Sequence, residues 1–320
     1  AEILERLLSK IFFHYLSVSP KDRQVFICDA PWASMHFRTA LARVLIKQFS
    51  VPSIAFVVDL ALPLYLTGLS AGIVVDCGFE SSRVLATFAG VPLLSAYSEA
   101  EAGGRRVNAR LRRKLQDSLA DDGAECLTGL NEEAVLEELK AQACYVAVDV
   151  QLGDERVLLK TDQAASFTPP EMEEVIEIPA DCRWKVCEPL FVREDDSASE
   201  DEGDWQNCIS IPEAFVRTIE RLPLDVRAAV LQNVVVVGGC AMLRGFLPRL
   251  ALELRTALRE RPKTSTLVER LRFTPLNVAP VCAVWTGGAV CAALEGSGRY
   301  TAEDLELGRP LPDWTADGFA

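Results

Sequence analysis

Three short apolar runs in this chain open onto residues suited to meeting a ligand. Residues 71–75 end at Asp76-Cys77-Gly78, Val234-Val235-Val236-Val237 ends at Gly238-Gly239, and Val284-Trp285-Thr286 leads into Gly287-Gly288. Paired glycines let a backbone come close to a ligand or to a neighbouring segment, because no Cβ stands in the way. Loops at the carboxyl ends of strands are also where open α/β sheets meet their ligands. Metal chemistry finds no comparable support. The ten cysteines form no CxxC pair, and the closest two, Cys182 and Cys187, have four residues between them. With His14 and His36 as the only histidines, no zinc quartet assembles at usual spacings. The cysteines read as buried free thiols and imply no metal site.

The elements that would position these residues follow from hydrophobic periodicity. Ile3, Leu4, Leu7, Leu8, Ile11, Phe12 and Leu16 recur at helical spacing, which predicts a helix over residues 3–16 that ends near Pro20. A strand over 25–28, the turn Asp29-Ala30-Pro31 and a helix over 37–49 make a βα unit. A strand over 53–58, a helix over 60–67 and a strand over 71–75 come next. Residues 82–88 pair back as a hairpin through a turn at 77–81. Helices are predicted over 105–119 and 132–143, a strand over 144–150, and proline-punctuated strand-like segments as far as Phe191. Beyond residue 211 come helices over 212–222 and 224–232, then the unbroken β-branched run 234–237, which reads as a fully buried strand before a helix over 246–259.

Composition narrows the classes. The 320 residues carry 33 Lys+Arg against 46 Asp+Glu, a net charge of −13, with 49% hydrophobic residues. Such a chain has a large core, and its acidity opposes nucleic-acid binding, which needs clustered cations to displace phosphate counterions. The one basic cluster, residues 105–114, is short. The stretch nearest to a membrane span, residues 51–75, is broken by Asp59, Pro63, Thr67 and Gly68, so no direct membrane insertion is expected. No secretory leader pattern opens the chain, and thiols in this number fit the reducing cytoplasm. The sequence begins at Ala1 within an amphipathic pattern, as a fragment or a shortened form would. Residues 194–204 hold seven acids and no base, more than half of the net charge, and read as a solvated loop. Ser197 and Ser199 lie in this run. Phosphorylation there would deepen a negative patch and alter docking to basic partners.

Eight motifs in order along the chain resemble those of the actin family. They are Asp29-Ala30-Pro31, residues 72–78, Gly104-Arg105, Cys144-Tyr145-Val146-Ala147, Cys187-Glu188-Pro189-Leu190-Phe191, Leu224-Asp225-Val226-Arg227, Gly238-Gly239 and Trp285-Thr286-Gly287-Gly288. Asp76-Cys77-Gly78-Phe79, Pro20-Lys21-Asp22-Arg23 and Leu311-Pro312-Asp313-Trp314 are similar to the branch of that family found at the pointed end of dynactin. The resemblance implies an α/β, actin-like fold shared with Hsp70 and the sugar kinases, lacking the N-terminal hairpin and second subdomain. It divides the chain into a subdomain-1-like part (1–66 and 282–320), a subdomain-3-like part (67–102 and 206–281) and a subdomain-4-like part (103–205).

Hydrolysis in this fold needs two glycine-bearing loops facing the phosphates, a carboxylate for the metal and a polar side chain to orient water. The resemblance implies that the chain starts beyond the first loop. In the second, Asp76 and Gly78 remain, but Phe79 stands in place of a metal-side aspartate and Glu80 in place of a glycine. Asp59 replaces the water-orienting glutamine, Arg83 a nearby histidine, and Val281 and Cys282 contacts to the base. Arg105, Lys140, Gly238 and Gly239 keep nucleotide-side identities. Gly238 and Gly239 also fit a tight strand-to-helix turn that the fold needs without any ligand, and Asp76 equally fits a turn aspartate. Asp59 and Arg83 are expected to form an ion pair filling the vacated cleft of a non-enzyme. No working cofactor is implied, and residual ATP or ADP binding stays open. Tyr65, Gly68 and Ser70 match residues of the family's polymerisation groove, although a tyrosine buried at an αβ junction explains Tyr65 as well. With Trp285 and the helix that follows it, they are expected to contact the end of an actin-related filament and other pointed-end subunits of dynactin. A divergent ATPase and a nuclear chromatin-remodelling subunit are the rival readings.

Overall fold

The computed structural model of the chain describes residues 2–118, 132–152, 155–168, 175–192, 208–294 and 299–314. The acidic run, with Ser197 and Ser199, lies outside them. Helix α1 (Glu2–Ser9) runs directly into a π-helical turn, Lys10–Tyr15, so the predicted helix over 3–16 is present with a widened end. Its Phe12 is buried 5.5 Å from Phe49. Strand β1 (Val25–Asp29), helix α2 (Met35–Arg43) and strand β2 (Ser53–Val58) form a parallel βαβ unit. Ser34 caps α2 by accepting the His36 N–H at 3.2 Å, which satisfies a helix-end donor. The segment Asp59–Leu66 is a 3₁₀ helix rather than the predicted α-helix, and Pro63 inside it supplies no N–H to an α-helical ladder.

Strands β3 (Gly72–Cys77), β4 (Ser82–Phe88), β5 (Val91–Pro92) and β6 (Ser98–Ala100) belong to the second sheet. The β3–β4 hairpin forms as predicted, with Asp76 opposite Arg83 and Cys77 opposite Ser82. Helices α3 (Gly104–Ser118) and α4 (Glu132–Ala143) follow, and then strand β7 (Val148–Leu152) paired with β8 (Glu155–Leu159). The predicted strand over 144–150 therefore starts four residues late. The Tyr145 N–H donates to the Arg183 carbonyl at 3.0 Å and the Val146 N–H to the Arg244 carbonyl at 2.8 Å. Those donors go to two separate segments, so no ladder begins before Val148. Strands β9 (Ala165–Phe167) and β10 (Ile176–Ile178) pair with each other ahead of the short helix α5 (Ala180–Lys185).

Helices α6 (Ile211–Arg221) and α7 (Leu224–Leu231) lead to strand β11 (Val234–Val237), which lies parallel to β3 with Val237 beside Asp76. Helices α8 (Phe246–Glu260) and α9 (Ala283–Leu294), strand β12 (Tyr300–Thr301) on β2, and helix α10 (Ala302–Glu306) complete the described chain. Gly287 and Gly288 lie inside α9 instead of opening a turn like that after β11. A Cβ on Gly287 would stand 2.1 Å from the Leu62 carbonyl oxygen, and one on Gly288 would stand 2.8 Å from the Cys28 sulfur. The close approach read from these glycines is thus helix against the 3₁₀ backbone at Gly287 and helix against the β1 side chain Cys28 at Gly288.

Strand β3 is buried on both faces, which is why its sequence does not alternate. Ile73, Val75 and Cys77 join the large cluster with α3, α4, α6 and α8, while Val74 joins Leu85, Val235 and the 3₁₀ segment on the other face. Each such side chain contributes about 1.5–3 kcal/mol of burial. A third cluster joins Phe12, Phe49, Phe56 and Leu311 around the first sheet.

Candidate functional site

Two loops at the carboxyl ends of β3 and β11 face each other. Gly238 adopts φ +93°, and a Cβ there would lie 2.4 Å from the Cys77 carbonyl oxygen and 2.7 Å from the Asp76 carboxylate. Backbone shape and space both demand glycine at this position. Gly239 has φ −66°, and a Cβ there meets nothing within 4 Å. The pair is therefore unequal. The Gly78 N–H donates to the Ser81 carbonyl at 3.1 Å and closes the β3–β4 turn. Gly104 and Arg105 at the start of α3 donate their N–H groups to the Gly78 and Phe79 carbonyls at 3.1 and 2.8 Å. The Gly238 N–H goes to the Pro280 carbonyl at 3.1 Å. These four amides bind carbonyls of the loops themselves.

Charges are committed in the same way. Arg83 on β4 reaches Asp59 at 2.8 Å and Asp76 at 2.5 Å, with all three side chains at least four-fifths buried. The expected Asp59–Arg83 ion pair is present, and Asp76 joins it. Burial, the largest influence, raises the Asp59 carboxyl above the ordinary aspartate value; the Arg83 charge opposes that rise and the Asp76 charge adds to it. Burial alone would lower the Arg83 pKa, but the two carboxylates outweigh it and raise it. Glu80 does not turn toward the cleft. It pairs with Arg105 at 2.6 Å in an exposed contact. Lys140 bonds to Glu137, and its ammonium stands 5.7 Å from the centre of the Phe79 ring.

A cavity of about 260 Å³ lies between these loops, lined by Gly78, Phe79, Lys140, Gly239, Cys240 and Met242 among others. Of the six residues with nucleotide-side identities, it gathers Gly78, Lys140 and Gly239. Asp76 and Gly238 sit behind it, and Arg105 lies outside with Glu80. Amides bound to carbonyls, cations bound to carboxylates and a guanidinium between the two aspartates do not fit a metal-bound phosphate group. Among the described residues, no cluster of three His, Cys, Asp or Glu side chains is placed to hold a metal ion. Of the nine described cysteines, Cys282 is exposed, Cys28 is half-buried and the rest are buried as free thiols. Burial pushes the Cys240 thiol up to about 11 and that of Cys144 to about 12, so neither is a reactive thiolate.

A second cavity, of about 500 Å³, lies between the first sheet and the hairpin. It brings together Tyr65, Gly68 and Ser70 with Val58, Leu294 and Trp314. Trp285 does not line it and is 74% exposed on α9, whereas Leu294 reaches the cavity from the same helix's end. Trp314 escaped the reading of site residues. The sequence marked it as part of the motif Leu311-Pro312-Asp313-Trp314, in a segment without periodicity that gave no sign of a cavity.

No helix among the described residues is long and apolar enough to cross a membrane. The family profile described as Actin matches residues 1–300. A protein named centractin from Schizosaccharomyces pombe is 25% identical over 294 residues, covering 91% of this chain and 71% of that protein.

Proposed function

This chain belongs to the actin family, and from that premise we propose that it is a non-catalytic actin-related subunit of dynactin, similar to actin-related protein 10, also numbered 11. In this reading it caps the pointed end of an actin-related filament in the cytoplasm and supports dynein-driven transport along microtubules. The observation that carries the non-catalytic part is the Arg83 guanidinium between Asp59 and Asp76. It places an internal cation where a bound metal and phosphate would need those carboxylates unshared. The similarity to a centractin and the discriminating residues Phe79 and Trp314 support the filament part.

The groove with Tyr65, Gly68 and Ser70, together with the exposed Trp285 and its helix, is the surface proposed to contact the filament end. The division into subdomain-1-, 3- and 4-like parts goes with this reading. The acidic run is read as a solvated loop, in which phosphorylation of Ser197 or Ser199 would deepen the negative patch. Affinity purification from cells tests the proposal, with co-purifying proteins and any released nucleotide identified. Dynactin subunits without stoichiometric nucleotide are expected. Chromatin-remodelling subunits, or one ATP or ADP per chain, would overturn it.

A further inference from the structure

Helices α3 and α5 meet on a face whose charge runs against that of the chain. Arg110 on α3 donates to the Lys185 carbonyl on α5 at 3.3 Å, which ties the two helices together. Two lysines flank one indole there: the Lys160 and Lys185 ammoniums stand 5.3 and 5.8 Å from the centre of the Trp184 ring. The ring steadies each ammonium without neutralising it. Arg183 has its guanidinium 5.4 Å from the centre of the Tyr145 ring, and donates to the carbonyls of Ala143 and Gln163 at 2.9 and 2.8 Å. Carbonyls satisfy those donors and leave the charge in place.

The carboxylate bonded on this face is Asp181, which accepts from Lys185 at 3.1 Å with both side chains nearly half exposed. Such a pair is weak and open to exchange. Its carboxyl is held below the ordinary aspartate value, first by the hydrogen bond from Lys185, with burial opposing, and further by the charges of Lys185 and Lys114. Lys114 therefore belongs to the same field. Among the described residues of α3, α5 and 160–163, the cations Arg110, Lys114, Lys160, Arg183 and Lys185 outnumber the acids Asp117, Asp162 and Asp181, whereas the whole chain has a net charge of −13.

What this face takes follows from the groups it offers. The Arg183 fork is committed to two carbonyls, so it lacks the bidentate grip that suits phosphate, whereas ammoniums are point charges that pair with carboxylates from several directions. A nucleic acid or an anionic bilayer would extend past the face and meet the acidic remainder of the chain. A short acidic segment meets the cations alone. We propose that this face is a docking site for an acidic peptide segment of a partner protein, a run of aspartates and glutamates whose carboxylates pair with Lys160 and Lys185. The site is independent of the function proposed above.

The test titrates the full chain with a fluorescein-labelled oligo-glutamate peptide at low and high salt. One double variant carries Lys160→Glu and Lys185→Glu; a second carries Lys21→Glu and Lys263→Glu, at exposed lysines elsewhere. Both change the net charge equally, so the difference between them reads the face and not the chain's overall charge. The wild-type chain should bind the peptide, and more weakly as salt rises. Lys160→Glu with Lys185→Glu should weaken binding at least about tenfold, and the second variant less than about twofold. If the first variant does not melt cooperatively, Lys160→Gln with Lys185→Gln decides, with a several-fold loss expected. Absence of binding by the wild-type chain, or equal losses in the two charge-reversed variants, would overturn the site. Tighter binding to phosphatidylserine vesicles than to the peptide would overturn it in favour of a membrane surface.

Discussion

The cavity at the ends of β3 and β11 and the groove beside the hairpin both border the second sheet but differ in their surroundings. The smaller, at the ends of β3 and β11, is lined by Lys140, bonded to Glu137, and by Gly78, whose amide is bound to a carbonyl, while outside its lining Arg83 is bound to two aspartates and the Gly238 amide to a carbonyl. The larger is lined by Val58, Tyr65, Leu294 and Trp314 among others. Polar groups paired internally gain little from a new charged ligand, because each must first break a bond it already makes. Apolar surface at a half-open groove gains from being covered. In the proposed function the first site carries no chemistry and the second carries recognition.

The strongest way to break this comparison is to remove the cleft's internal cation. Arg83→Ala leaves two buried carboxylates facing each other without a counter-ion, and the expected loss is about 3–5 kcal/mol in denaturant melts. A loss below about 1 kcal/mol would mean that the triad is solvated and does not seal the cleft. The next largest effect tests the glycine turn. Gly238→Ala places a methyl against the Cys77 carbonyl at positive φ and should cost about 1–3 kcal/mol or more, whereas Gly239→Ala should be near neutral. Equal effects would contradict the inequality of the pair.

In the larger cavity, Tyr65→Glu should lower filament-end affinity at least tenfold, or about 1.4 kcal/mol, while the melting transition stays cooperative. Loss of folding instead would make Tyr65 a core residue only. The smallest effect is in pH dependence, where two carboxylates act with opposite sign. Asp59 has a raised pKa, so its contribution is present below the ordinary aspartate value and is lost as pH rises through the folded value. Glu213 is held below its ordinary 4.5: burial alone would raise it, but Arg217 and Arg261 more than offset that. Its contribution is present above 4.5 and is lost as pH falls through the depressed value. Melts against pH for Asp59→Asn and Glu213→Gln should therefore flatten opposite limbs of the profile. A shared direction would show that burial does not control Asp59.

Much of the fold was legible because periodicity is local. The helix over 132–143 and the hairpin from Asp76 to Arg83 follow from patterns that a short window contains. The Asp59–Arg83 contact was legible through the family resemblance, which sets the two residues in one cleft in place of polar residues, so that each is the other's nearest compensation. What escaped depends on long-range partners. Residues 144–147 read as strand from their apolar run, yet their donors go to Arg183 and Arg244. Trp314 gave no periodic signal at all, since its partner Asp29 lies at the other end of the chain.

The proposed function rests on a cleft neutralised from within, which would gain no stability from nucleotide. The most direct measurement is the melting curve of the purified chain with and without millimolar MgATP and MgADP. The account predicts superimposable curves and no nucleotide released on denaturation. A ligand present at a hundred times its Kd would add about 2.7 kcal/mol of stability, so an upward shift of several degrees, or stoichiometric release, would contradict it.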